Sequence, residues 1–270
     1  MNKNPLFSII LVSYNYGRFI ESTILSILNQ SFKDYELIII DGGSQDETVN
    51  ILEKYNNQIN YWISEKDNGQ SDAFNKGFRR ANGKYLFWVN ADDLLLEDAL
   101  FKLNTFIIKK KYPDWIAGNT IYFSDDNTIV KCVNGPKWND YLLDNAPIYV
   151  YGPTTIFKKE MLNEVGYLDE KLFYMMDTDL WLRFKEKGYK FKRVNEYLWG
   201  FRFHVESKTA HTFFGKADLK IIKEREYMLA KNNFVYKSSK IRLQKIYKLL
   251  SGLYLKSWLD TQRLKGQKIS

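Results

Sequence analysis

Residues 6–43 read LFSIILVSYNYGRFIESTILSILNQSFKDYELIIIDGG, and this stretch decides the fold. Leu6–Ser13 and Glu36–Asp41 are near-continuous aliphatic runs, as expected of parallel strands buried on both faces. Between them Ile20, Ile24 and Leu28 recur at helical spacing, which makes a strand–helix–strand unit. The alternation continues outward. A second helix is expected to open at Ser44, where Ser44 and Glu47 have capping-box spacing ahead of Val49, Ile51 and Leu52. Tyr61–Ser64 reads as a third strand, Asp72–Ala81 as a third helix and Tyr85–Asn90 as a fourth strand. This βαβαβαβ series predicts a mostly parallel, Rossmann-like sheet with helices on both faces.

Ligands of such sheets bind beyond the carboxyl ends of the strands. The residues standing there are Ser13-Tyr14-Asn15, Asp41-Gly42-Gly43, Glu65-Lys66-Asp67 and Asn90-Ala91-Asp92-Asp93. All four ends are polar and three carry carboxylates. Beyond Glu97 the pattern is looser. It predicts a helix from Glu97 to Lys110, a strand from Trp115 to Phe123, a strand or loop over Gly152–Phe157, and a helix over Asp179–Lys187 stopped by Gly188. From about Ala217 the chain reads as two basic amphipathic helices. Ile246, Leu249, Leu250, Leu253 and Tyr254 are expected to share one face, flanked by Lys245, Lys248 and Lys256.

Composition narrows the class. The 270 residues are 45% hydrophobic and 16% aromatic, ample for one large core with rings left over to stack on sugars or bases. The single cysteine, Cys132, rules out an intrachain disulfide or a thiolate metal cluster and fits a reducing compartment. No secretory or membrane-spanning segment is visible, so the expected location is cytoplasmic. The formal charge of +8 is uneven: from Gly215 onward there are 14 Lys and Arg against 4 Asp and Glu, and 26 against 28 before it. A basic tail of this kind points to an anionic membrane surface, an acidic partner or nucleic acid, or is simply a solvated face.

Adjacent acids at a strand end repel, and a divalent cation removes the conflict: Mg²⁺ or Mn²⁺ takes one or two carboxylates plus substrate phosphates. Asp92 and Asp93 fit that role, the alternative being that one of them caps the following helix. Asp41 could accept from a uracil-type N–H or a ribose hydroxyl, or could be an Asx-turn residue.

The stretches SIILVSYNYGRFIESTILSILNQSF, ELIIIDGGSQDET, EKDNGQSDAFNKGF and GKYLFWVNADD together resemble family 2 glycosyltransferases of the GT-A fold. The resemblance runs from about Phe7 to Ser207, with the motifs in the family's order and spacing. It implies an inverting, metal-dependent enzyme of hexosyltransferase type that uses Mn²⁺ or Mg²⁺. Ser13 and Asn15 would hold base and ribose, Asp41 would read the base, and Asp67 and Asp72 would contact the donor. Asn90-Ala91-Asp92 stands in place of the family's DxD motif, with Asp92 as metal ligand and Asn90 replacing a usual acid. Met176-Asp177 matches the segment carrying the catalytic base, so Asp177 inherits that role, or merely caps its helix. Asp179 and Arg183 would orient the base or the acceptor loop. Phe201-Arg202-Phe203-His204 with Ser207 resembles a segment near the diphosphate, where His204 would bind metal or phosphate; His211 is a weaker candidate.

The resemblance further implies a nucleotide-sugar donor, uridine diphosphate by default. It implies a glycan or lipid-linked acceptor in surface polysaccharide synthesis, and peripheral attachment at the inner face of the membrane through the C-terminal helices. A homo-oligomer contact would use the same helical face; no nucleic acid is expected. The expected division is a catalytic domain over 1–214 and a helical extension over 215–270. Within the first, 1–110 would bind the nucleotide sugar and 111–214 would supply the acceptor side. Rival classes lack their motifs: the first strand is followed neither by G-x-G-x-x-G nor by the basic glycine-rich loop of a pyrophosphorylase, and G-x-x-x-x-G-K-[ST] is absent. A non-catalytic sugar- or nucleotide-binding protein on the same fold is the alternative from another class.

Overall fold

The computed structural model describes residues 4–143, 145–148, 150–204, 207 and 219–269. One nine-stranded sheet runs through it. Its left half is parallel: β1 (Phe7–Ser13), β2 (Tyr35–Asp41), β3 (Tyr61–Ser64) and β4 (Tyr85–Asn90) stand in the order β3-β2-β1-β4. The sheet continues through β8 (Thr155–Lys158), antiparallel to β4, then β6 (Trp115–Ser124) and β9 (Lys192–Phe203). The two-residue β5 (Leu94–Leu95) closes the far edge on β9, and β7 (Ile129–Val133) pairs with β6. The sheet therefore crosses the expected 110/111 boundary without a break. The architecture is mixed and mostly parallel with helices at the C-terminus, as expected of the GT-A fold.

Alternation along each strand makes two cores. Ile10, Val12, Ile38 and Ile40 face Phe74 and Phe78 of helix α3 (Gln70–Arg80), while Ile9, Leu11, Leu37 and Ile39 face Ile20, Ile24 and Ile27 of α1 (Gly17–Leu28). Helix α4 (Ala99–Lys109) joins the second core through Leu100, Leu103 and Ile107. In the first core Trp181 of α7 (Met176–Glu186) stacks on Trp88 at 5.8 Å and 7°, and on Trp115 at 5.3 Å and 28°. These three fully buried rings tie β4, β6 and α7 into one block.

Several local expectations change. Helix α2 spans Thr48–Lys54, and the Ser44–Glu47 capping box does not form, because Ser44 Oγ donates to Asp41; Asp46 Oδ1 instead accepts from Thr48 N at 3.0 Å. Helix α3 starts at Gln70 and α7 at Met176, each a few residues earlier than expected. The twelve-residue β9, absent from the sequence reading, pairs with β6 along most of its length.

Beyond two short helices, α5 (Asp140–Leu143) and α6 (Lys159–Val165), the C-terminal segment forms α8 (Leu219–Lys231), α9 (Ser238–Leu250) and α10 (Leu253–Leu264). Helix α8 sends Met228, fully buried, into the first core. Helix α10 docks on β7, where its Thr261 and Ser257 hydroxyls accept from Cys132 N and Asn134 N, both at 2.9 Å. A break at Ser251-Gly252 splits the expected single apolar face between α9 and α10. Lys248 is half-buried and Lys256, partly covered, donates to Asn195 Oδ1 at 2.6 Å on the surface, so of the three expected flanking lysines only Lys245 is exposed.

Candidate active site

The first cluster lies at the ends of β1, β2 and β3. Asp41, fully buried, accepts from Ser44 N at 2.8 Å, Gly43 N at 3.2 Å, Ser64 Oγ at 2.6 Å and Ser44 Oγ. It thus shapes the loop after β2 as an Asx-type residue. For it to read a base, one of the two serine hydroxyls would have to yield. Asn15 takes a left-handed conformation (φ 56°), donates its N–H to Ser44 Oγ and accepts from Gln45 N through Oδ1. Ser13 Oγ is buried and has no hydrogen-bond partner among the described residues, so a donor hydroxyl waits at this strand end. Asp67 lies against the backbone of Gly42 and accepts from Gly69 N at 2.8 Å; Asp72 Oδ2 accepts from Asn68 N at 3.0 Å.

The second cluster is the turn after β4. Thr23 of α1 donates to Ala91 O and Asp93 O, and Arg202 Nε donates to Asp92 O at 2.9 Å, so the backbone of this turn is fixed from two sides. Asp93 is spent on structure: Oδ1 accepts from Arg202 N at 3.0 Å and Oδ2 from Asn90 Nδ2 at 2.8 Å. Burial, then the charge on Asp92, push its pKa well above the ordinary carboxylate value. Burial pushes the Arg202 guanidinium, which packs on Phe19 and Phe123, below its own usual value. The next helix is α4 with Asp98 at its N-cap, so neither Asp92 nor Asp93 caps it. Asn90 has a physical reason here: an acid at that position would set another carboxylate against buried Asp93.

Asp92 is left with a side chain to offer. Its Oδ2 stands 2.9 Å from His204 Nε2, and the imidazole lies on Phe19 at 4.7 Å. The 2.9 Å contact is a hydrogen bond between carboxylate and imidazole; a divalent cation would take the same two groups as an oxygen and a nitrogen ligand in place of that bond. Among the described residues no group of three or more His, Cys, Asp and Glu could hold a metal, so substrate oxygens would complete the shell. His204 Nδ1 is buried without a hydrogen-bond partner among the described residues. Ser207 Oγ donates to His204 O at 2.8 Å; His211 lies outside the described residues.

The third cluster is the start of α7. Asp177 sits in its first turn, half-buried, with Oδ1 accepting from Thr178 N at 2.6 Å. Its Oδ2 faces the backbone of Gly152, where any Cβ would stand 3.3 Å from that oxygen and 2.5 Å from Trp88 Cζ2. Gly152 therefore lets the carboxylate and the β4 tryptophan approach one backbone together. Ser71 Oγ donates to Leu172 O at 2.8 Å and contacts Met176 Sδ, so the Asp67–Asp72 segment and the entrance of α7 meet. The bonds of Asp179 and Arg183 run elsewhere. Buried Asp179 takes Arg183 Nε at 2.9 Å, Asn232 Nδ2 at 2.8 Å and Lys231; Arg183 continues to the carbonyls of Val165, Gly166 and Tyr167. They lock α7 against α8 and α6.

Sequence reasoning missed Glu224. From α8 its Oε2 accepts from three consecutive backbone N–H groups, Phe173 at 3.0 Å, Tyr174 at 2.6 Å and Met175 at 3.3 Å. It closes the N-terminal end of α7 from a separate helix, one residue ahead of Met176-Asp177. Its signal in the sequence is only an acid within a basic helix, with no local pattern to mark the partner.

Comparison with known proteins agrees with this architecture. The glycosyl transferase family 2 model matches residues 8–166, and the chain belongs to that family. It is 29% identical over 206 residues to the putative teichuronic acid biosynthesis glycosyltransferase TuaG of Bacillus subtilis, covering 74% of this chain and 80% of TuaG. Against two other curated relatives it spans 59% of their length. Staphylococcus aureus TarS (residues 1–349), solved with UDP-GlcNAc, superposes with a TM-score of 0.62 at 19% identity, over 86% of this chain and 68% of TarS. The mannosyltransferase PcManGT of Pyrobaculum calidifontis, solved with GDP-Man and Mn²⁺, gives 0.56 at 18% identity, over 97% and 84%.

Proposed function

We propose that the protein is a metal-dependent, inverting glycosyltransferase that moves a sugar from a nucleotide-diphosphate donor to an acceptor hydroxyl during synthesis of a cell-surface polymer. The observation that carries this reading is the Asp92–His204 pair, 2.9 Å apart at the end of β4, with Asp177 beyond Trp88 and Gly152. A divalent cation on this pair would neutralise charge on the departing diphosphate. Ser13 and Asn15 hold the nucleoside, Asp41 keeps their loop in shape, and Asp67 and Asp72 order the segment that meets the sugar. Asp177 takes the proton from the acceptor hydroxyl as that oxygen attacks the anomeric carbon from the face opposite the diphosphate. A single displacement inverts the configuration. TuaG's part in teichuronic acid synthesis supports the polymer, and the TarS complex supports a uridine diphosphate donor. Proton NMR of the product from an α-linked UDP-sugar is expected to show a β linkage; an α-linked product contradicts the single displacement.

The C-terminal hairpin supplies the membrane contact. Ile246, Leu249, Leu250, Tyr254, Leu255, Trp258 and Leu259 are each 50–80% exposed, far more apolar surface than a solvated face needs. Residues 237–270 carry nine Lys and Arg against one Asp, and Arg242, Lys245 and Arg263 are exposed beside the apolar residues. Among the described residues no helix is long and apolar enough to cross a membrane, so attachment would be peripheral. The full chain is expected to float with anionic phosphatidylglycerol vesicles and to lose most of that binding in the double variant Leu250→Glu, Trp258→Ala. Equal flotation of both, or a dimer that buries this face without vesicle binding, would assign the surface to something else.

A further inference from the structure

A small cleft with room of about 80 Å³ opens between β6, β7, β9 and α9, and its chemistry is cationic. Its lining includes Thr120, Asn134, Thr154, Arg193 and Lys248. Arg193, near the start of β9, donates to Asn119 Oδ1 at 2.6 Å; among the described residues no carboxylate pairs with it. Its Nε is buried without a hydrogen-bond partner among those residues. Burial lowers the guanidinium pKa to about 10, and burial followed by the nearby Arg193 charge lowers that of Lys248. Two cations thus share a half-buried cleft, where each raises the cost of the other. Gly135 makes room for this: a Cβ there would occupy the position of the guanidinium itself. If Arg193 only anchored Asn119, a neutral amide would serve as well, and neither the charge nor the buried, unpartnered Nε–H would be needed. Paired cations with an unused buried donor are the usual means of holding a phosphate or carboxylate.

The cavity's position gives the anion a context. Tyr151 and Thr154, both in its wall, stand on either side of Gly152 in the chain, and a Cβ at Gly152 would lie 3.3 Å from Asp177 Oδ2. We infer that this cavity is an acceptor subsite that binds a phosphate or carboxylate group on the acceptor chain, beside the hydroxyl that Asp177 activates. The acceptor assignment rests on the proposed role of Asp177; the anion binding does not.

Titration of the ¹⁵N-labelled full chain in metal-free buffer tests it through the Arg193 Nε–H resonance, identified by its loss in Arg193→Lys. Inorganic phosphate and glucuronate are the two probes, and the one that saturates at lower concentration names the group. The expected result is a shift that saturates at millimolar concentration. Lys248→Gln and Gly135→Ala, the second of which displaces the guanidinium, each raise the midpoint about tenfold. Shifts induced by UDP with Mn²⁺ remain as in the parent, which shows that the variants are folded. A resonance unmoved by either anion at tens of millimolar overturns the inference, as does an unchanged midpoint in both variants. Absence of the UDP shifts would instead count against the donor site, leaving the Arg193 titration to stand by itself.

Discussion

Asp177→Asn is expected to lower the rate of sugar transfer by about 10²–10⁴-fold, the usual worth of a positioned general base, while donor affinity stays within about twofold. The amide keeps the shape of the carboxylate, and its oxygen still accepts from Thr178 N as Oδ1 does now. The side chain can no longer take a proton. Asp177 Oδ1 accepts from Thr178 in its own first turn, whereas Asp92 bonds His204 and Arg202 at the end of β4, so the substitution is expected to leave the nucleotide end of the site intact. Steady-state rates and nucleotide binding on the same preparation separate the outcomes. Loss of both would mean that Asp177 holds the site together; loss of neither would remove it from the chemistry and favour a binding protein on the same fold.

Glu224→Ala is expected to cost about 3 kcal/mol of unfolding free energy, read as a lower urea midpoint, because three backbone donors lose a charged acceptor at a buried position. Glu224→Gln keeps one acceptor oxygen and should cost about half as much. Activity should fall further than stability requires, since the released backbone, Phe173 to Met175, leads directly into Asp177. A kcat that drops in Glu224→Gln with little change in donor KM is the expected signature. Parallel losses of kcat and stability, with both restored by a stabilising solute, would make Glu224 a purely structural cap.

Much of this was legible in the sequence because it is local. β1, β2 and β4 announce themselves as aliphatic runs, and the polar residues at their ends follow from topology alone. What stayed hidden depends on distant partners. The Ser44–Glu47 spacing suggests a cap, yet Ser44 is claimed by Asp41 and Asn15, an arrangement that local spacing cannot reveal. β9 reads poorly because polar residues occupy its first half and its pairing with β6 shifts register near Asn119. Asp92 and Asp93 look equivalent until Arg202 and Asn90, on either side, take Asp93 for structure. The orientation of Lys248 and Lys256 depends on the Gly252 break, where φ is 71°, and that break swings α10 onto β7. Glu224 lies some fifty residues from the backbone it holds, beyond the reach of any periodicity.

In the proposed mechanism Asp92 and His204 bind a divalent ion together with the diphosphate of a nucleotide sugar. Thermal unfolding of the full chain with UDP-GlcNAc, with and without Mn²⁺, tests it directly. Stabilisation is expected to need both ligand and metal and to be lost in Asp92→Ala and in His204→Ala. Stabilisation that is indifferent to metal, or that survives both substitutions, would contradict it.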